Sequence, residues 1–101
     1  MSKEVGNIDR KVYRLSKFFD ALSNAVRLQI LFDLADGEKY VTEIADRLDR
    51  STGSISRQLK ILRDNSLVKS ETKDQCRYYR VSRPKLIGAV KKIYNLLTRE
   101  E

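Results

Sequence analysis

Apolar residues recur along this chain with two different periods, and the change of period divides it into elements. Ile8, Val12, Leu15, Phe19 and Leu22 follow one another at spacings of four, three, four and three, which places a single apolar stripe along a first helix beginning near Asn7 or Asp9. Asn24 is suited to cap a second helix, Ala25–Ala35, in which Leu28, Ile30, Leu31 and Leu34 point largely to a core, and Gly37 is a suitable stop. Tyr40 and Val41 allow one short strand, and Thr42 is placed to cap a third helix that carries Ile44, Ala45 and Leu48 inward. Ser51 or Thr52 then caps a fourth helix with Ile55, Leu59 and Leu62 on one side and Gly53, Arg57 and Lys60 on the other.

From Leu67 the period falls to two, so residues 67–72 and 77–82 read as a pair of strands, with Lys73, Asp74, Gln75 and Cys76 as the turn between them. Tyr78 and Tyr79 must then face opposite ways, one packing in the core and the other over a neighbouring surface. Pro84 suits the first turn of a last helix, and Leu86, Val90, Ile93 and Leu97 repeat there at helical spacing, a seam for another helix. The fold class expected is mainly α with a small β-hairpin, arranged as a winged helix-turn-helix. Residues 42–65 form the helix-turn-helix, 67–82 the wing, and 7–23 and 84–98 the terminal helices of one domain spanning 1–101.

Composition narrows the chemistry. With 101 residues the chain is one domain, near the size at which pairing with a second copy helps it bury enough surface. Charged residues make up 35% and hydrophobic ones 41%, and no apolar run is long enough to span a bilayer. The opening residues alternate charged and apolar, unlike a signal peptide, so a cytoplasmic location is expected. There is no histidine and one cysteine, Cys76, which removes internal disulfides, histidine acid–base pairs and Cys/His zinc clusters within one chain. Without these groups, and with no glycine-rich phosphate loop, no catalytic constellation assembles, so no enzyme activity and no cofactor are expected. A lone turn cysteine is usually inert, although Arg77 beside it would favour oxidant sensing.

The net charge is +7, and it is concentrated. Between residues 51 and 83 stand eight basic residues (Arg57, Lys60, Arg63, Lys69, Lys73, Arg77, Arg80, Arg83) against Asp64, Glu71 and Asp74, a net +5 that reads as a phosphate-facing surface. Arg57 suits a bidentate contact to guanine, and Thr52, Ser54 and Ser56 offer hydroxyls to bases or phosphates. Gly53 in a first helical turn costs about 1 kcal/mol relative to alanine, which suggests close approach to something. On the wing, Lys73, Gln75 and Arg77 are the expected phosphate contacts, with Arg80 and Arg83 weaker.

The segments FDALSNAVRLQIL at 19–31, VTEIADRL at 41–48, SISRQLKIL at 54–62, LV at 67–68 and YY at 78–79 together resemble the ArsR/SmtB family of winged-helix regulators. The resemblance runs roughly from 19 to 84. It implies a homodimer bound to duplex operator DNA, usually as a repressor, with Thr52, Gly53, Ser54, Ser56, Arg57 and Gln58 on the recognition helix and Lys60 toward phosphate. It also implies a last helix paired with the first across a two-fold axis, which matches the seams at Val12, Leu15, Phe19 and Leu22 and at Leu86, Val90, Ile93, Tyr94 and Leu97. Where metal-sensing members carry Cys-x-Cys, this chain has Tyr40, Val41 and Thr42, and residues 84–97 hold no His, Asp or Glu, so no metal partner is expected. Ala25, Asp49 and Gln58 stand where the family often has proline, glycine and histidine, differences that bear on base preference rather than fold. A binder of DNA backbone without base preference, or an adaptor using the same fold to dock proteins, are the competing readings.

Overall fold

The structure, a computed structural model, describes residues 6–99. Helix α1 (Arg10–Leu22) starts where the Asp9 carboxylate accepts a 2.7 Å hydrogen bond from the Lys11 N–H. Only Ser23 and Asn24 separate it from α2 (Ala25–Ala35), and Asn24 Oδ1 accepts from the N–H groups of Val26 and Arg27 at 2.9 and 3.1 Å. Two of the donors that a helix start leaves unpaired are thereby satisfied.

Strand β1 (Lys39–Tyr40) runs directly into α3 (Val41–Leu48). This corrects the expected strand at Tyr40 and Val41, which lies one residue earlier, and the expected cap at Thr42, which lies two residues earlier at Tyr40. Tyr40 is held extended by pairing with Tyr78, and its N–H donates to the Glu43 carboxylate at 2.8 Å, so the helix begins at once. Asp49, in the left-handed region at φ 53°, ends α3, a conformation that its short polar side chain tolerates. Helix α4 (Thr52–Asp64) follows, capped by Ser51, whose Oγ accepts from the Ser54 N–H at 3.1 Å.

Strands β2 (Val68–Lys73) and β3 (Cys76–Val81) form the hairpin, and β1 adds to it on the far side, giving an antiparallel order β1-β3-β2. The turn is tighter than the expected four residues: Lys73 pairs with Cys76, leaving only Asp74 and Gln75, both left-handed at φ 50° and 67°. Two such residues give a turn whose twist matches that of the strands and make the tip narrow. Helix α5 (Pro84–Thr98) closes the chain.

The core is built from one face of each element. Ile30 and Leu31 of α2, Ile44 of α3, Ile55, Leu59 and Leu62 of α4, Leu67 and Val68 at the start of β2 and Ile87 of α5 are all buried. Tyr79 is buried as well, while Tyr78 stacks on Tyr40 with ring centres 4.1 Å apart, the two-sided arrangement expected of adjacent strand residues. Their hydroxyls are hydrogen-bonded to each other, which pushes the Tyr40 phenol up to about 12.

Beneath the β1 strand, Asp33 is the one buried charged residue among those described. Arg47 clasps its carboxylate with Nε and Nη2 at 3.1 and 3.2 Å, and Gln29 donates at 3.0 Å. Burial pushes the carboxyl up, but the hydrogen bonds from Arg47 and Gln29 and the charges of Arg47 and Lys39 prevail and hold it below its ordinary value.

Candidate nucleic-acid interface

Helix α4 has a sharp division of faces. Ile55, Leu59 and Leu62, at spacings of four and three, bury one side completely. Thr52, Gly53, Ser56, Arg57 and Lys60 are exposed on the remainder, and Ser54 is half-buried. A Cβ built on Gly53 meets no atom within 4 Å, so the protein's own packing does not require glycine there; the space lies outside. Arg57 has no hydrogen-bond or ion-pair partner among the described residues, and its guanidinium is free to meet an anion. Lys60 is engaged with Asp64 at 3.0 Å, but both side chains are well exposed and such a pair contributes at most about 1 kcal/mol, little obstacle to a stronger partner.

Gln58 differs from its neighbours. It is half-buried, and its Oε1 accepts a 2.9 Å hydrogen bond from Arg27 Nη1, so it faces the α2 side of the helix as much as the outer surface. Arg27 also donates through Nε to the Ala21 carbonyl at 2.7 Å. The sequence reading missed Arg27, because nothing in the pattern of α2 reveals that its first turn lies beside the middle of α4.

On the wing, Gln75 occupies the turn, Arg77 is exposed with no partner among the described residues, and Lys73 reaches Glu38 at 2.8 Å while lying 5.0 Å from the centre of the Tyr78 ring. The hydrogen bond that Lys73 donates to the Glu38 carboxylate is the main reason its ammonium is held above its ordinary value, so the tip lysine stays charged.

The basic stretch from 51 to 83 is not one surface. Arg57 and Lys60 lie on α4 and Lys73 and Arg77 near the hairpin tip, but Lys69 and Arg83 line a separate groove against α1. Linear charge counting cannot separate them, because the strands carry the chain back to its starting end.

The terminal-helix seams are likewise divided. Val12, Leu15 and Phe19 of α1 and Ile93, Tyr94 and Leu97 of α5 stay about half or more exposed, from 45% at Tyr94 to 81% at Leu97. Leu22 and Val90 are corrected to the protomer's own core, and Leu86 is half-buried against it. The apolar stripe turns inward at these positions because α2 packs against both terminal helices. Among the described residues no group of three or more His, Cys, Asp and Glu side chains is placed to hold a metal ion, and no helix is long and apolar enough to cross a membrane.

A capped scaffold helix, a short helix, an amphipathic helix with an open cationic face and a narrow three-stranded wing define a winged helix-turn-helix DNA-binding protein. Comparison with known proteins agrees. A profile for bacterial regulatory proteins of the arsR family matches residues 24–70. The transcriptional activator HlyU of Vibrio cholerae is 33% identical over 76 residues, 75% of this chain and 70% of that protein. The biofilm growth-associated repressor of Xylella fastidiosa is 23% identical over 94% of this chain and 83% of its own. Among solved structures, HlyU from Vibrio cholerae superposes with a TM-score of 0.81 at 28% identity, covering 92% of this chain and all of that one. The homodimeric winged helix-turn-helix DNA-binding domain of Mb0332 from Mycobacterium bovis superposes with a TM-score of 0.79 at 29% identity, over 95% of each chain. The chain belongs to the ArsR family, and is therefore a DNA-binding transcription regulator rather than an enzyme.

Proposed function

We propose that this regulator acts as a homodimer on a pseudo-palindromic operator in duplex DNA and that its output is repression. The observation that carries this reading is the open face of α4, where Gly53, Ser56 and the unpartnered Arg57 stand clear of the protein's own packing. Thr52, Gly53, Ser54, Ser56 and Arg57 read the major groove, Gln58 contributes from the edge, and Lys60, Lys73, Gln75 and Arg77 hold phosphates. The exposed apolar seams of α1 and α5 support pairing through Val12, Leu15, Phe19, Ile93, Tyr94 and Leu97, which would set two recognition helices about 34 Å apart on successive turns of DNA.

Repression is supported by the Xylella relative, matched along almost the whole chain, and by the simplest action of a bound dimer, which is to occlude a promoter. The lack of histidine and the single cysteine support a regulator that works without a zinc-type site, in the cytoplasm where the DNA lies. Selection of bound duplexes from a random pool, followed by anisotropy on the enriched sequence, tests the reading. A pseudo-palindromic consensus bound at least about 1,000-fold more tightly than scrambled DNA is expected. Affinity that is equal for every sequence and falls equally with salt would mark a backbone binder and reject it.

A further inference from the structure

Lys69 and Arg83, which the DNA-reading face leaves out, line a groove of about 590 Å³ between α1, the α4–β2 connection and the start of α5. Arg14 and Lys17 enter from α1, and no carboxylate is part of the lining. Lys17 is partly engaged by Asp20 at 3.4 Å, whereas Arg14, Lys69 and Arg83 have no hydrogen-bond or ion-pair partner among the described residues. Three unpaired cations from three different elements thus converge on one concavity, a repulsive arrangement that an anionic ligand would relieve.

The floor adds polar groups. Ser66 sits there in the left-handed region at φ 61°, where glycine would be less strained, and its hydroxyl has no partner among the described residues. Asn65 lends its amide nitrogen to the Ile61 carbonyl at 2.8 Å, leaving Oδ1 free. Ser82 Oγ donates to the Ser66 carbonyl at 2.6 Å and fixes the floor to the end of the sheet.

This groove lies at the wrong end for DNA contact. Five strand positions separate Lys69 from the hairpin turn, about 16 Å. Thirteen helical positions separate Asn65 from Thr52, about 20 Å. We infer that the groove is a binding site for a small molecule carrying linked phosphate groups. Two arginines favour phosphate, whose oxygens the guanidinium fork meets in pairs, and three unpaired positive charges match linked phosphates more closely than the charge of about −2 on a single one. A ligand seated there touches the connection between the recognition helix and the wing, the two elements whose relative pose DNA binding uses.

The test titrates sodium pyrophosphate into the ¹⁵N-labelled full chain at constant ionic strength and follows amide shifts. Saturable shifts centred on Ser66, Leu67, Lys69, Ser82 and Arg83 are expected. The triple variant Arg14→Gln, Lys69→Gln, Arg83→Gln should weaken pyrophosphate at least about tenfold while operator affinity stays within about twofold. Should that variant fold poorly, Lys69→Gln alone should weaken pyrophosphate about threefold, and the wild-type shift map stands without any variant. No saturable shift, or shifts centred on the outer face of α4 and the wing tip, would overturn the site. An equal loss of operator and pyrophosphate affinity would also overturn it, by making the groove a track for DNA phosphates. Neither result depends on whether operator binding itself is sequence-specific.

Discussion

Arg27 Nη1 donates to Gln58 Oε1 across 2.9 Å, joining the first turn of α2 to the middle of α4. The same guanidinium holds the Ala21 carbonyl at 2.7 Å, so one side chain fixes the end of α1, the start of α2 and the pose of the recognition helix. A residue in this position sets how α4 sits on the scaffold from within the protein.

Replacing Arg27 with methionine keeps the aliphatic stem and removes these bonds. The loss should be about 2 kcal/mol, lowering Tm by about 10 °C in a domain of this size. A double-mutant cycle with Gln58→Met should return a coupling of about 1 kcal/mol from denaturant unfolding. Zero coupling would mean that the bond adds nothing to the α2–α4 joint.

Asp33 should make stability depend on acid. Its folded carboxyl lies below the ordinary value of 3.8, so its stabilising contribution is complete above that value and is lost as pH falls through the lower folded one. Arg47 is half exposed, so the contribution is about 1–2 kcal/mol after solvent screening. Urea unfolding of the wild type and Asp33→Asn should therefore differ by that amount at pH 7, and the difference should narrow steadily as pH falls below 3.8. A gap that does not narrow with acid would assign the effect to shape rather than charge.

Much of this organisation was legible in the sequence. The stripe from Ile55 to Leu62 located the recognition helix, Asn24 and Ser51 marked two helix starts, and Tyr78 and Tyr79 announced their opposite faces. What was hidden depends on long-range packing. Tyr40 stays extended because Tyr78, far along the chain, pairs with it, so the start of α3 could not be placed from local caps. Leu22 and Val90 continue the seams as spacing requires, yet α2 covers both, and Lys69 and Arg83 share a charge cluster with Arg57 only in one dimension.

If Lys73 holds a DNA phosphate as proposed, Glu38 competes for it. Their 2.8 Å pair is partly exposed and contributes at most about 1 kcal/mol, so Glu38→Gln should raise operator affinity by up to about fivefold at low salt. Lys73→Ala should lower affinity for every duplex alike and reduce the salt slope by about one. If Glu38→Gln leaves affinity unchanged at low salt, Lys73 is not a phosphate contact.

Arg57 should behave differently from Lys73. Arg57→Ala removes a side chain with no partner in the protein, so Tm should change little, while discrimination at one operator position should fall by about 1–3 kcal/mol. Selection with the variant should lose preference at that position and keep it elsewhere. A uniform loss across all sequences would instead make Arg57 a phosphate contact.

The exposed and buried halves of the terminal seams give opposite expectations. Leu15 is about half exposed and Leu97 is 81% exposed, so glutamate at both disturbs nothing in the protomer core but places charge where a second copy would dock. Sedimentation should then show a folded monomer with unchanged helical circular dichroism, and operator affinity should drop steeply, because each half-site is then bound without its partner. Val90→Glu, on the same helix but inside the core, should unfold the protomer itself, since a charge buried without a partner is costlier than the domain can offset. A dimer that survives Leu15→Glu with Leu97→Glu would relocate the pairing surface away from α1 and α5.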